Sequence, residues 1–192
     1  TNHSLDNLKL DCKYYNNSTP KCYLEASDIQ YADIIKITSV DGIIEYYNES
    51  MLFSDFNIES DVINGNINYF SMDSVLQKFS GKLNINQPNK IASFFKLNNK
   101  IISKSFNLNI EYFNTTDSSF LDLRVDVSKI YIDDLFVESG IGYINKLNNN
   151  TNYNFKLSSP NYLSISLDKL IFAGNNPLGT FNNTIIGSNE RT

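Results

Sequence analysis

The sequence predicts an all-β protein, built as an antiparallel meander or a jelly-roll-like curved sheet with one or two short helices. Two observations indicate this fold class. Apolar and polar residues alternate with a period of two from about residue 22 onward, and turn-forming dipeptides separate the alternating runs at short intervals. The chain shows no sustained alternation of helices with strands, which disfavours a parallel α/β sheet. Its 192 residues contain no linker rich in Pro, Gly or Ser, so we expect one domain spanning residues 1–192.

Two segments show the alternation most clearly. In residues 105–112 and 151–158 every second side chain is apolar and its neighbours are polar, which predicts strands with one buried face. The apolar members are Phe106, Leu108, Ile110, Tyr112, Tyr153, Phe155 and Leu157. These seven side chains are the candidates for an apolar ligand-binding face.

The same pattern predicts strands along most of the chain. Turn signals such as those at residues 41–42, 64–65 and 80–81 mark their boundaries. The predicted strands lie near residues 22–30, 33–39, 42–48, 51–59, 62–70, 81–86, 101–113, 119–127, 129–138, 140–147, 151–158, 161–173 and 178–186.

Two segments depart from the alternation and predict helical structure. Residues 71–79 begin with Ser71, which is a favourable N-cap, and carry apolar residues at positions 72, 75, 76 and 79, as two helical turns require. Residues 88–97 predict a second short helix or a loop tucked under the sheet.

The composition excludes several classes of active site. His3 is the only histidine and lies near a terminus that we expect to be frayed, so Ser-His-Asp and Cys-His sites and histidine-ligated zinc or iron are excluded. Nucleic-acid binding is disfavoured because 16 Lys and Arg stand against 21 Asp and Glu, without a basic run. No glycine-rich phosphate loop is present. We therefore predict a protein that is not an enzyme and that needs neither a cofactor nor a metal.

The sequence contains no stretch that approaches the roughly 18–20 apolar residues of a membrane-spanning helix. It also lacks a signal peptide with a basic segment followed by an apolar one. Because the chain begins at Thr1 without a methionine, we expect either a mature fragment or an excised piece of a longer chain, and both are compatible with an upstream signal or anchor. No membrane span is predicted within this fragment.

The two cysteines, Cys12 and Cys22, flank a polar, turn-forming stretch. A disulfide between them would close a hairpin loop over residues 12–22 and indicate an oxidising, extracytoplasmic compartment. The alternative is a pair of reduced, buried cysteines in a cytosolic protein. We favour the disulfide.

Asparagine is unusually frequent, with 29 residues, and several asparagines begin Asn-X-Ser/Thr triplets. The triplets start at Asn2, Asn16, Asn17, Asn48, Asn114, Asn149 and Asn182. In a secreted eukaryotic or viral protein they would accept glycans on surface loops. The alternative is that so many Asn, Ser and Thr residues produce triplets by chance, and that an AT-rich coding genome explains the bias.

Acidic residues are the remaining candidates for chemistry. Asp133 and Asp134 with Glu138 would suit a calcium site or a carboxylate pair. However, adjacent residues of a strand point to opposite faces, so we interpret them as a solvated strand end. For the cluster of Asp55, Glu59 and Asp61, solvent exposure is likewise the expected state.

Three aromatic pairs, at residues 14–15, 46–47 and 94–95, are candidates for a carbohydrate or lipid site because they offer large apolar areas. In an all-β chain without tryptophan, we interpret them instead as core residues.

Several passages resemble bacterial envelope proteins that build lipid-conducting β-grooves. Residues 24–28, 40–46, 56–61 and 64–67 resemble the strand-turn cadence of periplasmic lipopolysaccharide-transport jelly rolls. Residues 79–85, 139–144 (SGIGYI) and 153–157 are similar to strands of AsmA-like proteins. The resemblance covers about a third of the chain and implies a concave sheet, lined by apolar side chains, that shields acyl chains and performs no reaction.

These observations lead to two functional hypotheses. The first is a non-enzymatic extracytoplasmic protein, periplasmic, secreted or on the cell surface, that binds or conducts lipid or scaffolds an envelope complex through an apolar sheet face. The second is a secreted or surface glycoprotein domain that binds a protein partner. An enzyme that uses acidic residues, such as a glycosidase, is the least favoured hypothesis.

Overall fold

The strands of this protein form one continuous antiparallel sheet in the computed structural model, which describes residues 3–13, 20–31, 35–47, 50–72, 77–94, 96, 100–163, 165–176 and 182–188. One short helix, α1 (Pro88–Phe94), accompanies the strands in these residues. The strands are β1 (His3–Lys13), β2 (Lys21–Tyr31), β3 (Ile35–Tyr47), β4 (Ser50–Ser60), β5 (Ile63–Met72), β6 (Gln77–Ile85), β7 (Ile101–Ile102), β8 (Ser105–Asn114), β9 (Ser119–Ile132), β10 (Leu135–Leu147), β11 (Asn150–Ser158), β12 (Asn161–Tyr162), β13 (Ile165–Ser166), β14 (Lys169–Asn176) and β15 (Asn182–Ser188).

The sheet is a simple meander. Long strands pair with the long strands that precede and follow them in the chain, in the order β1-β2-β3-β4-β5-β6-β8-β9-β10-β11-β14-β15. The short strands β7, β12 and β13 extend one end of β9 and β10. The predicted all-β fold class is therefore confirmed, with an open sheet whose described edge strands are β1 and β15.

The alternating sequence explains why these segments form strands. In the pairing of β8 with β9, Leu108 lies opposite Val125 and Ile110 lies opposite Leu123, while Asn109 lies opposite Arg124. Cross-strand partners share a face, so the apolar pairs collect on one side and the polar pairs on the other.

The sheet is a single layer. Substantial contacts between the described elements are confined to ladder neighbours, apart from the contact of α1 with β7. The accessible surface is 12682 Å², whereas a compact monomer of 21.9 kDa exposes about 9,300 Å². Few described apolar side chains are buried, and they are Ala26, Phe56, Val62, Ile85, Ala92, Ile130 and Val137.

Helix α1 lies at the end of the sheet where β6 finishes and β7 begins, which we call the α1 end. The side chain of Asn89 accepts a hydrogen bond from the backbone N–H of Ile101, and this contact ties the helix to β7. The turn between β4 and β5 joins the same region, because the backbone N–H of Asn86 donates to the carbonyl of Val62 at 2.7 Å. Of the two alternatives predicted for residues 88–97, the short helix forms over Pro88–Phe94, whereas residues 95 and 97–99 lie outside the described part of the chain.

The helix predicted over residues 71–79 is wrong. Strand β5 runs through Met72 and β6 starts at Gln77, and residues 73–76 lie outside the described residues. Phe79 pairs with Phe70 across the ladder, so partners on the neighbouring strand decide the conformation here, over the local helical spacing.

The turns predicted at residues 41–42, 64–65 and 80–81 are also wrong, since all three dipeptides lie inside strands. Their glycines serve close packing instead. A Cβ atom on Gly42 would lie 2.3 Å from the ring of Phe56, and one on Gly65 would lie 2.3 Å from the carbonyl oxygen of Lys82. A side chain at Gly65 would meet the backbone of the neighbouring strand, whereas one at Gly42 would meet the ring of Phe56.

Strand β1 was not among the predicted strands. It pairs with β2 along its length, and even His3, expected to be frayed, lies opposite Tyr31 in the ladder. Its sequence mixes charged residues with leucines, which weakens the alternation that marks the other strands.

Candidate functional site

The seven candidate ligand-binding residues lie on one face of the sheet. The cross-strand rows run from β8 through β9 and β10 to β11, so residues in one row share a face. The three rows are Phe106–Val127–Gly140–Leu157, Leu108–Val125–Gly142–Phe155 and Ile110–Leu123–Ile144–Tyr153. Tyr112 continues the alternation on β8 and lies opposite Leu121. The structure thus joins the two predicted segments into one surface.

This surface, which we call the apolar face, extends well beyond the predicted residues. One row crosses from β1 to β9 without a polar side chain other than the hydroxyl of Tyr112. It contains Cys12, Cys22, Ile44, Phe53, Phe70, Phe79, Tyr112 and Leu121. The apolar residues that β1 to β6 add to this face were not predicted, because cross-strand pairing cannot be read from periodicity alone.

Aromatic rings form a band along the apolar face. The ring centroid of Phe53 lies 5.6 Å from that of Phe70, which in turn lies 6.4 Å from Phe79. Tyr153 and Phe172 stack with their centroids 5.3 Å apart on the other half of the face. Edge and stacked contacts of this kind add to the stability gained by burying the rings.

Every glycine of the described strands lies on the apolar face. A Cβ atom on Gly142 would lie 2.4 Å from the ring of Phe155, and one on Gly140 would lie 2.9 Å from a methyl group of Leu157. Because glycine has no side chain, the large side chains of Phe155 and Leu157 pack directly against the backbone of β10. Consequently, the apolar side chains of β8 and β11 are only partly exposed, although no second layer covers them in the described residues.

The opposite face is more polar and rich in asparagine, although it also exposes Ile141, Tyr143 and Ile186. Asn107 and Asn109 are exposed, and Asp126 accepts two hydrogen bonds from the guanidinium of Arg124, at 2.8 and 3.1 Å. These bonds raise the pKa of Arg124. The guanidinium also lies 5.5 Å from the ring centroid of Tyr143. The two faces therefore differ sharply in chemistry.

The predicted disulfide between Cys12 and Cys22 is confirmed. The two residues lie directly opposite one another on β1 and β2, near the end of the sheet that is opposite α1. Residues 14–19 of the expected loop lie outside the described residues. The disulfide ties the edge strand to its neighbour on the apolar face.

The acidic residues form no common site. Asp133 and Asp134 are exposed at the turn between β9 and β10, and the Asp133 carboxylate accepts the backbone N–H of Lys100 at 2.8 Å. Glu138 lies 4.0 Å from Lys129. Within the part of the chain that is described, no group of three His, Cys, Asp or Glu residues is placed to hold a metal ion.

The second acidic cluster is partly exposed, as predicted. Asp55 and Glu59 are exposed, whereas Asp61 forms an ion pair with Lys90 of α1 and accepts the backbone N–H of Lys36 at 3.1 Å. The hydrogen bond from Lys90 is the main cause that lowers the pKa of Asp61. This contact fastens α1 to the sheet.

Of the three aromatic pairs predicted to be core residues, only one side chain is described, that of Tyr46, and it does not belong to the core. Tyr46 is 50% exposed. Tyr14, Tyr15 and Phe95 lie outside the described residues, as do the side chains of residues 47 and 94.

Comparison with known proteins returned no matching family model, no matching curated protein and no matching solved structure. No described helix is long and apolar enough to cross a membrane. Inferences about function therefore come from the geometry of the sheet.

Proposed function

We propose that this protein binds or conducts lipid along its apolar face, outside the cytoplasm, as a non-enzymatic component of a cell envelope. The observation that supports this proposal is an apolar face that no second layer covers within the described residues. In an ordinary β-sandwich such a face packs against another sheet, because exposed apolar area of this size is unfavourable in water.

The dimensions of the face suit acyl chains. The four alternating apolar positions from Phe106 to Tyr112 span about 20 Å along a strand. Twelve paired strands, spaced about 4.8 Å apart, give a length of about 53 Å across the sheet. One leaflet of a bilayer has an apolar thickness of about 15 Å. A lipid tail of that length is therefore shorter than both dimensions of the apolar face.

The chemistry of the face favours a lipid over a small polar ligand. Its rows combine aliphatic and aromatic side chains, and charged groups such as Arg124 and Asp126 lie on the other face. The disulfide supports an extracytoplasmic location, since such bonds persist in oxidising compartments.

Site-specific photo-crosslinking tests the proposal. We expect p-benzoylphenylalanine in place of Phe155 to crosslink co-purifying lipid or an added fluorescent fatty acid. The same group in place of Tyr143 is the matched control, because Tyr143 lies on the neighbouring strand but on the polar face, 43% exposed. Equal crosslinking at both positions, or no lipid at Phe155, would overturn the proposal.

The second candidate is a glycoprotein domain that binds a protein partner. Asn149 favours it, because this triplet asparagine is exposed at the turn between β10 and β11. Intact mass measurement of protein from its natural source tests this alternative. Glycan mass at Asn149 supports it, and an unmodified chain rejects it.

A further inference from the structure

A small hairpin projects from the α1 end of the sheet. It consists of β12 and β13, and β12 pairs with β10. Two backbone hydrogen bonds brace its base: the N–H of Ser159 donates to the carbonyl of Asp168 at 2.8 Å, and the N–H of Leu167 donates to the carbonyl of Pro160 at 3.0 Å. The hairpin is therefore an ordered projection from the sheet.

The hairpin exposes large apolar side chains. Tyr162 is 52% exposed, Leu163 is 69% exposed and Ile165 is 66% exposed. We call these three residues the apolar tip. Burial of each such side chain away from water would be favourable, so the tip is suited to an apolar environment outside the chain.

The backbone at Leu163 has a conformation that a leucine side chain does not favour. Leu163 has a φ of 53°, in the left-handed region that leucine adopts only at an energetic cost. The turn between β10 and β11 has the same two-residue length, and there Asn148 occupies the equivalent position with a φ of 51°. Asparagine tolerates this conformation better than leucine does. A strained and exposed leucine in a chain rich in asparagine indicates a role beyond folding.

The tip is continuous with the apolar face. Two residues after Ile165, the side chain of Leu167 lies against Gly187, where a Cβ atom would be 3.1 Å from a methyl group of that leucine. Gly187 pairs with Leu170, which belongs to the apolar face. The apolar tip is thus next to the α1 end of the apolar face.

We propose that the apolar tip inserts into the interfacial layer of a phospholipid bilayer and places the α1 end of the apolar face against the membrane. The insertion follows from the tip itself, whereas its role in lipid transfer rests on the proposed function. The tyrosine of the tip suits the interface, where an aromatic body is buried and its hydroxyl stays hydrated.

The surroundings of the tip favour a bilayer over a protein partner. Tyr131 and Ile102, on the neighbouring paired strands β9 and β7, are 48% and 45% exposed. At this end of the sheet the strands pair in the order β7-β9-β10-β12-β13. Within this ladder, the row of Tyr131 and Ile102 lies on the face opposite to the row of Tyr162 and Ile165. Apolar side chains on both faces suit immersion in a lipid layer, whereas a protein surface covers one face.

The charges near the tip indicate that its insertion would not require anionic lipid. Lys100, Lys104 and Lys129 are exposed at the α1 end, and so are Asp133 and Asp134. Because both signs are present, electrostatic attraction to a charged bilayer is weak. We expect binding to vesicles of neutral phosphatidylcholine.

Vesicle flotation tests the insertion. We expect the wild-type protein to float with phosphatidylcholine vesicles, and Leu163→Asn to reduce the bound fraction at least fivefold while leaving the melting temperature unchanged or higher. The matched control is Leu147→Asn, because Leu147 is 53% exposed beside the equivalent turn at the opposite end of the sheet. No flotation of the wild type, or an equal loss in both variants, overturns the proposal.

A fluorescent label gives a second measurement that does not depend on the asparagine variant. The chain has two cysteines, which form the disulfide, so a thiol introduced by Leu163→Cys is labelled selectively. We expect an environment-sensitive dye at position 163, but not at position 147, to brighten on vesicles. An unchanged dye at 163 contradicts insertion. Fatty-acid binding in solution is measured separately, and its absence alongside normal flotation rejects the proposed function but keeps the membrane contact.

Discussion

Replacing Gly142 by alanine tests how tightly the apolar face is packed. Gly142 lies opposite Phe155 in the ladder of β10 and β11, and Phe155 lies opposite Phe172 on its other side. An added Cβ atom would be 2.4 Å from two carbons of the Phe155 ring. Non-bonded carbon atoms prefer separations of about 3.5–4.0 Å, so the ring must move by more than about 1 Å.

Two opposing effects set the magnitude. Alanine in a strand is more favourable than glycine by about 0.5–1 kcal/mol when space is available. Overpacking costs about 1–3 kcal/mol, because the ring leaves its preferred rotamer. We therefore expect Gly142→Ala to lower the free energy of unfolding by about 0.5–2 kcal/mol. Gly187→Ala should stay within about 0.5 kcal/mol of the wild type, since its new Cβ atom meets only the flexible end of Leu167, at 3.1 Å.

Urea denaturation followed by far-UV circular dichroism measures these differences. A double-mutant cycle with Phe155→Ala isolates the clash, because the shortened side chain leaves room for the new methyl group. In that background Gly142→Ala should stabilise the protein by about 0.5–1 kcal/mol. The packing argument fails if Gly142→Ala alone is as stable as the wild type, or if its cost persists without the Phe155 ring.

Two further perturbations test the edge strand and the helix contact. Replacing Cys12 and Cys22 by serine should lower the free energy of unfolding by about 2–3 kcal/mol, given a sequence separation of 10, and an unchanged urea midpoint would contradict this. The lowered pKa of Asp61, ordinarily 3.8, stabilises the fold above that value, and this contribution is lost as the pH falls through the lowered pKa. Asp61→Asn should therefore lower the melting temperature at pH 7 and reduce its further fall in acid. A parallel acid profile in both proteins would exclude this contribution.

Strict alternation in the sequence predicted most of the long strands. Residues 151–158 are an example, since β11 begins one residue earlier, at Asn150, and ends at Ser158 as predicted. Some of the errors came from glycines. Gly42 and Gly65 predict turns, yet each lies inside a strand, where the space of a side chain is filled by the Phe56 ring at Gly42 and by the Lys82 backbone at Gly65. That requirement belongs to the tertiary structure, and local sequence does not contain it.

The candidate site was predicted in part. Phe106 and Phe155 were placed on an apolar surface from periodicity, and the structure brings their strands onto one face. Phe53 and Phe70 were not included, because bulges shift the register of β3 and β5 near the middle of the strands. A register shift changes which residues share a face without leaving a mark in composition.

The hairpin of β12 and β13 was hidden for a similar reason. Residues 161–173 were predicted as one strand, since Leu163 and Ile165 continue the alternation. Leu163 has a left-handed backbone where the chain reverses, and leucine is a poor predictor of that conformation.

The meander order has a consequence for how this sheet forms and grows. Each long strand pairs with the long strands before and after it in the chain, so most contacts are local in sequence, which favours formation of the sheet one hairpin at a time. A sheet of this kind behaves as a linear array, in which the end units open more easily than the middle. Gain or loss of one hairpin would change the length of the apolar face across the strands by about 10 Å, and the pairing of the remaining strands would stay the same.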